Sequence, residues 1–268
     1  MYDTVISAPD LAANLTTFRL LDCRAQLGDP DFGRQAYAAS HIPGALHADL
    51  DRDLAAAPGR AGRHPLPERE ALAATLREWG INHTDQIVVY DDAGGAFAAR
   101  AWWCLRWLGH AAVAVLDGGM AAWDGDLQTE LPSFEPGNFR ARTPLTRSVE
   151  AADLMDLLEH DDSPALIDAR TAARFAGEEE PIDPVAGHIP GAVCLPFQGN
   201  LDASGRFKPA AELAARFAGL GDCVCYCGSG VTAAHNILAL RIAGFPEPAL
   251  YPGSWSEWIV DPSRPRVP

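Results

Sequence analysis

The chain repeats itself, and that most limits what it can fold into. "LLDCR" at 20–24 returns as "LIDAR" at 166–170, and "HIPGA" at 41–45 returns unchanged at 188–192, offsets of 146 and 147 residues. Further on, "IVVYDDAGGAFAARAWWCLRWLG" is echoed by "CVCYCGSGVTAAHNILALRIAG", where Arg106 and Arg241, Gly109 and Gly244, Gly118 and Gly253, and Trp123 and Trp258 each stand 135 apart. A tandem duplication of this period, in 268 residues, makes two domains of ordinary size. Each half holds a short apolar strand ending in Asp-x-Arg, a His-Ile-Pro-Gly turn, a helix, a second apolar strand, a glycine-rich loop and a helix closed by glycine. Strands alternating with helices predict an α/β fold, each domain a parallel sheet flanked by helices with its ligand loops at the carboxyl ends of strands. The break falls in "EPGNFRARTPLTRS", where Pro136 and Gly137 interrupt structure and no periodicity follows. The expected domains are 1–137 and 148–268.

The net charge of −15, with an isoelectric point near 4.8, argues against nucleic acid or an anionic membrane as partner. The amino-terminal "MYDTVISAPDLAANL" lacks a basic stretch followed by an apolar one, and no run of about 18 apolar residues occurs, so a cytoplasmic protein is expected. The six cysteines form no C-x-x-C pair and several lie in apolar runs, which favours a reducing compartment. No His/Cys/Asp spacing predicts a metal site.

One cysteine stands apart. In "CYCGSGVTAAH", Cys227 ends an apolar strand, two glycines follow, and helical spacing begins at Val231. A structural thiol needs no glycine beside it. A thiolate nucleophile gains from the amide N–H groups of a glycine turn and a helix N-terminus, which lower a free-thiol pKa near 8.5. At the 135 offset, Asp92 stands opposite Cys227, so the first half lacks the nucleophile. Cys223 and Cys225 alternate with Cys227 along the strand and read as packing residues. His41 and His188, present in both halves, read as structural hydrogen-bonding groups, as do the Asp22–Arg24 and Asp168–Arg170 pairs. The run Glu178 to Glu180 reads as a solvated loop.

"CGSGVTA", with "GHIPGA" before it and "YPGSWSEW" after it, resembles the two-domain rhodanese superfamily over nearly the whole chain. The resemblance implies two tandem rhodanese-like domains, the first catalytically inactive. It also implies a sulfurtransferase without a cofactor, in which Cys227 takes a sulfane sulfur as a persulfide and passes it to cyanide or to a thiol, such as thioredoxin or a low-molecular-weight thiol. The Cys-Gly-Ser-Gly-Val-Thr loop resembles the members that use 3-mercaptopyruvate and release pyruvate, whereas thiosulfate members resemble Cys-Arg-Lys-Gly-Val-Thr. A compact dianion gains from two added cations, and Gly228 and Ser229 add none. Thiosulfate is the alternative donor, and a non-catalytic sulfur-carrier or regulatory module the alternative class.

Carried over singly, Arg174 in "AARFAG" matches the arginine that meets the donor carboxylate. Ser229 and Thr232 match loop hydroxyls near the sulfur, and Gly228, Gly230 and Val231 complete the substrate-binding loop. Asp51 in "ADLDRD" and His64 in "GRHPLP" match groups of a proton relay with the loop serine, which would place the site between the domains. The chain departs from the mercaptopyruvate pattern in two respects: "AGEEEPIDPVAG" contains no second arginine, and the spacing from Asp51 to His64 is slightly longer. A cysteine phosphatase would require Cys-x5-Arg, and Ala233 occupies that arginine position.

Overall fold

The structure, a computed structural model, describes residues 1–158, 160 and 164–268. It comprises two compact units. The first contains residues 1–56, 66–146 and 203–206, and the second residues 57–65, 147–202 and 207–268. The short stretch 57–65 therefore leaves its own half of the sequence and packs with the second unit.

The first unit is built on a five-stranded sheet of β1 (Val5–Ile6), β2 (Arg19–Asp22), β3 (Ala45–His47), β4 (Ile87–Tyr90) and β5 (Val113–Leu116), in the order β1-β5-β4-β2-β3. The second carries β6 (Ala165–Asp168), β7 (Val193–Cys194), β8 (Cys223–Tyr226) and β9 (Ala249–Leu250), in the order β7-β6-β8-β9. Every strand pair is parallel. The central strands "IVVY" and "CVCY" are buried along their whole length, as strands covered by helices on both faces must be. The helices Ala98–Trp107 and Thr232–Ile242 follow them directly and bury most of their residues. Trp255 and Trp258 are fully enclosed in the second core with Leu154, Leu166 and Tyr251.

The repeated motifs share one structural task. Asp22 and Arg24 pair within the buried interior at 2.6 Å, and Asp168 and Arg170 do the same at 2.7 Å. Each arginine also donates onward to the turn carrying His-Ile-Pro-Gly, Arg24 to the Ser40 carbonyl and Arg170 to that of Gly187. From the neighbouring strand, the hydroxyls of Tyr90 and Tyr226 accept the amides of Ile42 and Ile189, both at 3.2 Å. His41 and His188 stack on Tyr37 and Phe175 and bond their carbonyls at 2.8 Å. These contacts bolt the turn to the sheet in both halves.

In each sheet the winding reverses between the first strand to carry Asp-x-Arg and the strand before the glycine loop, β2 and β4 in one unit, β6 and β8 in the other. Loops leaving the carboxyl ends of such a pair diverge and leave a crevice, the usual ligand position in open parallel sheets. Asp168 and Tyr226, paired in register, are the last residues of β6 and β8. The fold thus sets the Cys227 loop beside the segment that carries Arg170 and Arg174.

Candidate active site

Cys227 follows β8 directly and is almost completely enclosed, at 2% exposure. Its loop is gripped from outside by the short helix Ser254–Trp258. The Trp255 amide donates to the Cys227 carbonyl at 3.0 Å and the Ser256 amide to the Gly228 carbonyl at 2.9 Å. Ser254 is held at φ +53°, a left-handed conformation costly for a residue with a side chain. Its hydroxyl accepts the Cys227 N–H at 3.1 Å and donates to the Tyr251 carbonyl at 2.9 Å. Strain at Ser254 therefore serves to fix the Cys227 backbone. The one local signal for Ser254 is its place in Tyr-Pro-Gly-Ser, which marks a tight turn. Gly230 has φ +74°, and a Cβ there would lie 2.3 Å from the Pro252 carbonyl oxygen, so both conformation and space demand glycine.

The first unit shows what such a loop binds. Tyr90 and Tyr226 are equivalent by their hydrogen bonds, at an offset of 136 residues rather than 135. Asp91, not Asp92, therefore occupies the position of Cys227. The Met120 amide bonds the Asp91 carbonyl as the Trp255 amide bonds that of Cys227. The first-half loop is one residue longer, and the offset read from the following helix does not extend through it. The Asp91 carboxylate, wholly buried, accepts the amides of Ala93 and Gly95 at one oxygen and of Phe97 and Ala98 at the other, all at 2.8–2.9 Å. Burial pushes the Asp91 carboxyl up, and these four amides work against that push. The loop is an anion nest filled here by its own side chain, and Cys227 stands at the position that Asp91 takes in the first unit.

Ser229 and His64 are brought together. Both are buried, and the Ser229 hydroxyl is hydrogen-bonded to His64 Nδ1 at 2.7 Å. His64 reaches it because the 57–65 stretch belongs to this unit, anchored where the Arg63 amide donates to the Ser256 hydroxyl at 3.1 Å. Thr232 is the first residue of the helix after the loop, and Val231, buried, precedes it. Asp51 lies in the first unit on an exposed turn, its amide donating to Asp49 at 2.9 Å.

Arg174 sits on the one-turn helix Ala172–Phe175, capped by the Thr171 hydroxyl. Two carboxylates hold it: Glu180 at 2.7 Å and Asp183 at 3.2 Å. Glu180 is thus not solvated as the sequence reading expected. Its side chain is 4% exposed and also meets Arg170 at 3.4 Å. Two arginines from different turns converge on it, which a three-residue acidic run cannot reveal. Burial opposes ionisation of Glu180, but hydrogen bonds from Arg174 and from the Asp183 and Ile182 amides outweigh it and hold the carboxyl below the usual glutamate value. A carboxyl so lowered contributes stability that is complete above its unfolded pKa, about 4.3, and is lost as pH falls through the lower folded value. The stability advantage of wild type over Glu180→Gln should therefore be level at neutral pH and shrink below about pH 4 in urea unfolding series. A constant difference down to pH 3 would contradict this pairing.

All six cysteines are free. Burial pushes the thiols of Cys225 and Cys23 far up and that of Cys104 up, so these remain protonated packing groups. Among the described residues, no group of three or more His, Cys, Asp and Glu is placed to hold a metal, and no helix is long and apolar enough to cross a membrane.

The model of the rhodanese-like domain matches residues 7–126 and again 150–261. The chain belongs to the rhodanese family. Over 275 residues this rhodanese is 50% identical to a Pseudomonas aeruginosa protein provisionally named 3-mercaptopyruvate sulfurtransferase, covering 97% of the chain and 96% of that relative. It is 41% identical, over 97% of its length and 95% of the other's, to a Mycobacterium tuberculosis protein provisionally named thiosulfate sulfurtransferase SseB. The crystal structure of Escherichia coli SseA, described as a 3-mercaptopyruvate sulfotransferase, matches with a TM-score of 0.83 at 34% identity, over 96% of this rhodanese and 100% of SseA.

Proposed function

We propose that this rhodanese is a 3-mercaptopyruvate sulfurtransferase with Cys227 as its sulfur carrier. The observation that carries the reading is the position of Cys227: where the first unit cradles the Asp91 carboxylate on four amides, the second unit has a cysteine. In the first half-reaction the Cys227 thiolate attacks the sulfur of mercaptopyruvate. An S–S bond forms, the C–S bond breaks, and its electron pair leaves on pyruvate enolate. A proton then gives pyruvate, a delivery we assign to the Ser229–His64 pair, whose hydrogen bond of 2.7 Å supports the reading. In the second half-reaction an acceptor thiolate, or cyanide, attacks the outer persulfide sulfur and Cys227 departs as thiolate.

Charge supports mercaptopyruvate over thiosulfate. Beside the loop, Arg63, Arg170 and Arg174 are matched by Asp168, Glu180 and Asp183, so the cluster has no surplus positive charge to spend on a dianion. Gly228 and Ser229 add none. Comparing kcat/KM for the two donors, with cyanide as common acceptor, tests the reading: mercaptopyruvate should be preferred. A preference for thiosulfate would replace it by the name that SseB carries. Turnover of neither donor would leave a sulfur-carrier or regulatory module. Arg174→Ala should raise KM for mercaptopyruvate about 10-fold or more, the effect of losing a charge-assisted contact to its carboxylate. An unchanged KM would place that carboxylate elsewhere.

A further inference from the structure

Arg63 immediately precedes His64 in the stretch that packs with the second unit, 165 residues before Gly228. One end of its guanidinium, Nη1, is bound to the carboxylate of Asp183. The other oxygen of the same carboxylate takes Nη2 of Arg174. Asp183, 3% exposed, thus braces two arginines side by side.

Their unused donors converge. A Cβ built on Gly228 would stand 2.8 Å from Arg63 Nη2 and 3.4 Å from Arg174 Nη1. Among the described residues, neither nitrogen has a hydrogen-bond partner, because Asp183 holds the opposite end of Arg63 and the Glu180–Asp183 pair holds Nε and Nη2 of Arg174. Planar forks with free N–H groups on a shared spot form a site for a small planar anion. The Arg63 side chain is a quarter exposed and, with Asp183 and Ser256, lines a cleft of about 340 Å³. Distance fits too. Gly228 adjoins the nucleophile, about 3.8 Å away between Cα atoms, and in mercaptopyruvate three bonds separate the transferred sulfur from the carboxylate carbon.

We propose that Arg63 is a second ligand for the donor's carboxylate, working beside Arg174 over Gly228. This rests on the mercaptopyruvate reading above. It also accounts for the arginine-free stretch 176–187, where that stretch supplies the brace, Asp183, and the 57–65 stretch supplies the cation. Gly228 is required as glycine because a side chain would occupy the anion's place.

The test uses the full chain and two donors with the same thiol and ketone, 3-mercaptopyruvate and mercaptoacetone, which lacks the carboxylate. Arg63→Met should lower kcat/KM for mercaptopyruvate about 10- to 100-fold, and for mercaptoacetone far less. Arg63→Lys should fall between, keeping charge without the fork. Turnover of mercaptoacetone by the variants also reports that they are folded. Equal losses against both donors, or no loss against mercaptopyruvate, would overturn the assignment of Arg63. A wild-type enzyme that does not distinguish the two donors would instead remove the carboxylate-recognition reading itself, and Arg63's role with it.

Discussion

Cys227→Ser should abolish sulfur transfer, lowering turnover about 10⁴-fold or more, because no other group can take over the covalent step. Serine keeps the size of the side chain and every backbone contact of the loop, including the Cys227 N–H to Ser254 and the Cys227 carbonyl to Trp255. What it loses is an ionisable, polarisable atom able to hold a second sulfur. The neighbours are poor substitutes: Cys225 has no exposed surface and burial pushes its thiol far up. Cys223→Ser should leave the rate of the same order. Steady-state assays with pyruvate release as readout check both. Substantial activity in Cys227→Ser would move the nucleophile elsewhere.

The second large effect is on stability. Asp168→Ala should cost about 3–5 kcal/mol, since it leaves the guanidinium of Arg170 buried without its principal counter-charge. Arg170 is 1% exposed and Asp168 wholly buried. Their contacts, at 2.7–3.1 Å, involve both carboxylate oxygens, two guanidinium nitrogens and the Arg170 amide. Glu180, at 3.4 Å, is a weaker second partner. For a domain stable by about 5–15 kcal/mol, such a loss leaves little in reserve. Asp222→Ala, which breaks the exposed pair of Asp222 and Arg147 at 3.4 Å, should change stability by less than about 1 kcal/mol. Chemical unfolding of both variants measures the contrast. A loss below about 1 kcal/mol for Asp168→Ala would mean that water or Glu180 compensates the arginine, and that the repeated Asp-x-Arg is not the bolt described here.

Much of the architecture was legible because duplication writes each element twice. The strands "LLDCR" and "LIDAR", the two His-Ile-Pro-Gly turns and the helices after the glycine loops all occupy the places their repetition predicts. Repetition misled where the two copies differ in length. The first-half loop carries one extra residue, and only the hydrogen bonds of Tyr90 and Asp91 show that Asp91 lies in the nest. Contacts across long sequence separations left no local signal either. The Ser229–His64 bond spans 165 residues, and a family resemblance, rather than spacing, suggested His64. Arg63 stood unnoticed beside it. Glu180 looked solvated because an acidic triplet is usually exposed, and its two arginine partners come from separate turns of the chain.

The most direct measurement is mass analysis of the enzyme after brief exposure to 3-mercaptopyruvate without an acceptor. The account predicts one added sulfur atom on the peptide containing Cys227, matched by one equivalent of pyruvate released and lost again on adding cyanide or a thiol. Sulfur carried by a residue other than Cys227, or pyruvate release without any sulfur retained on the protein, would contradict it.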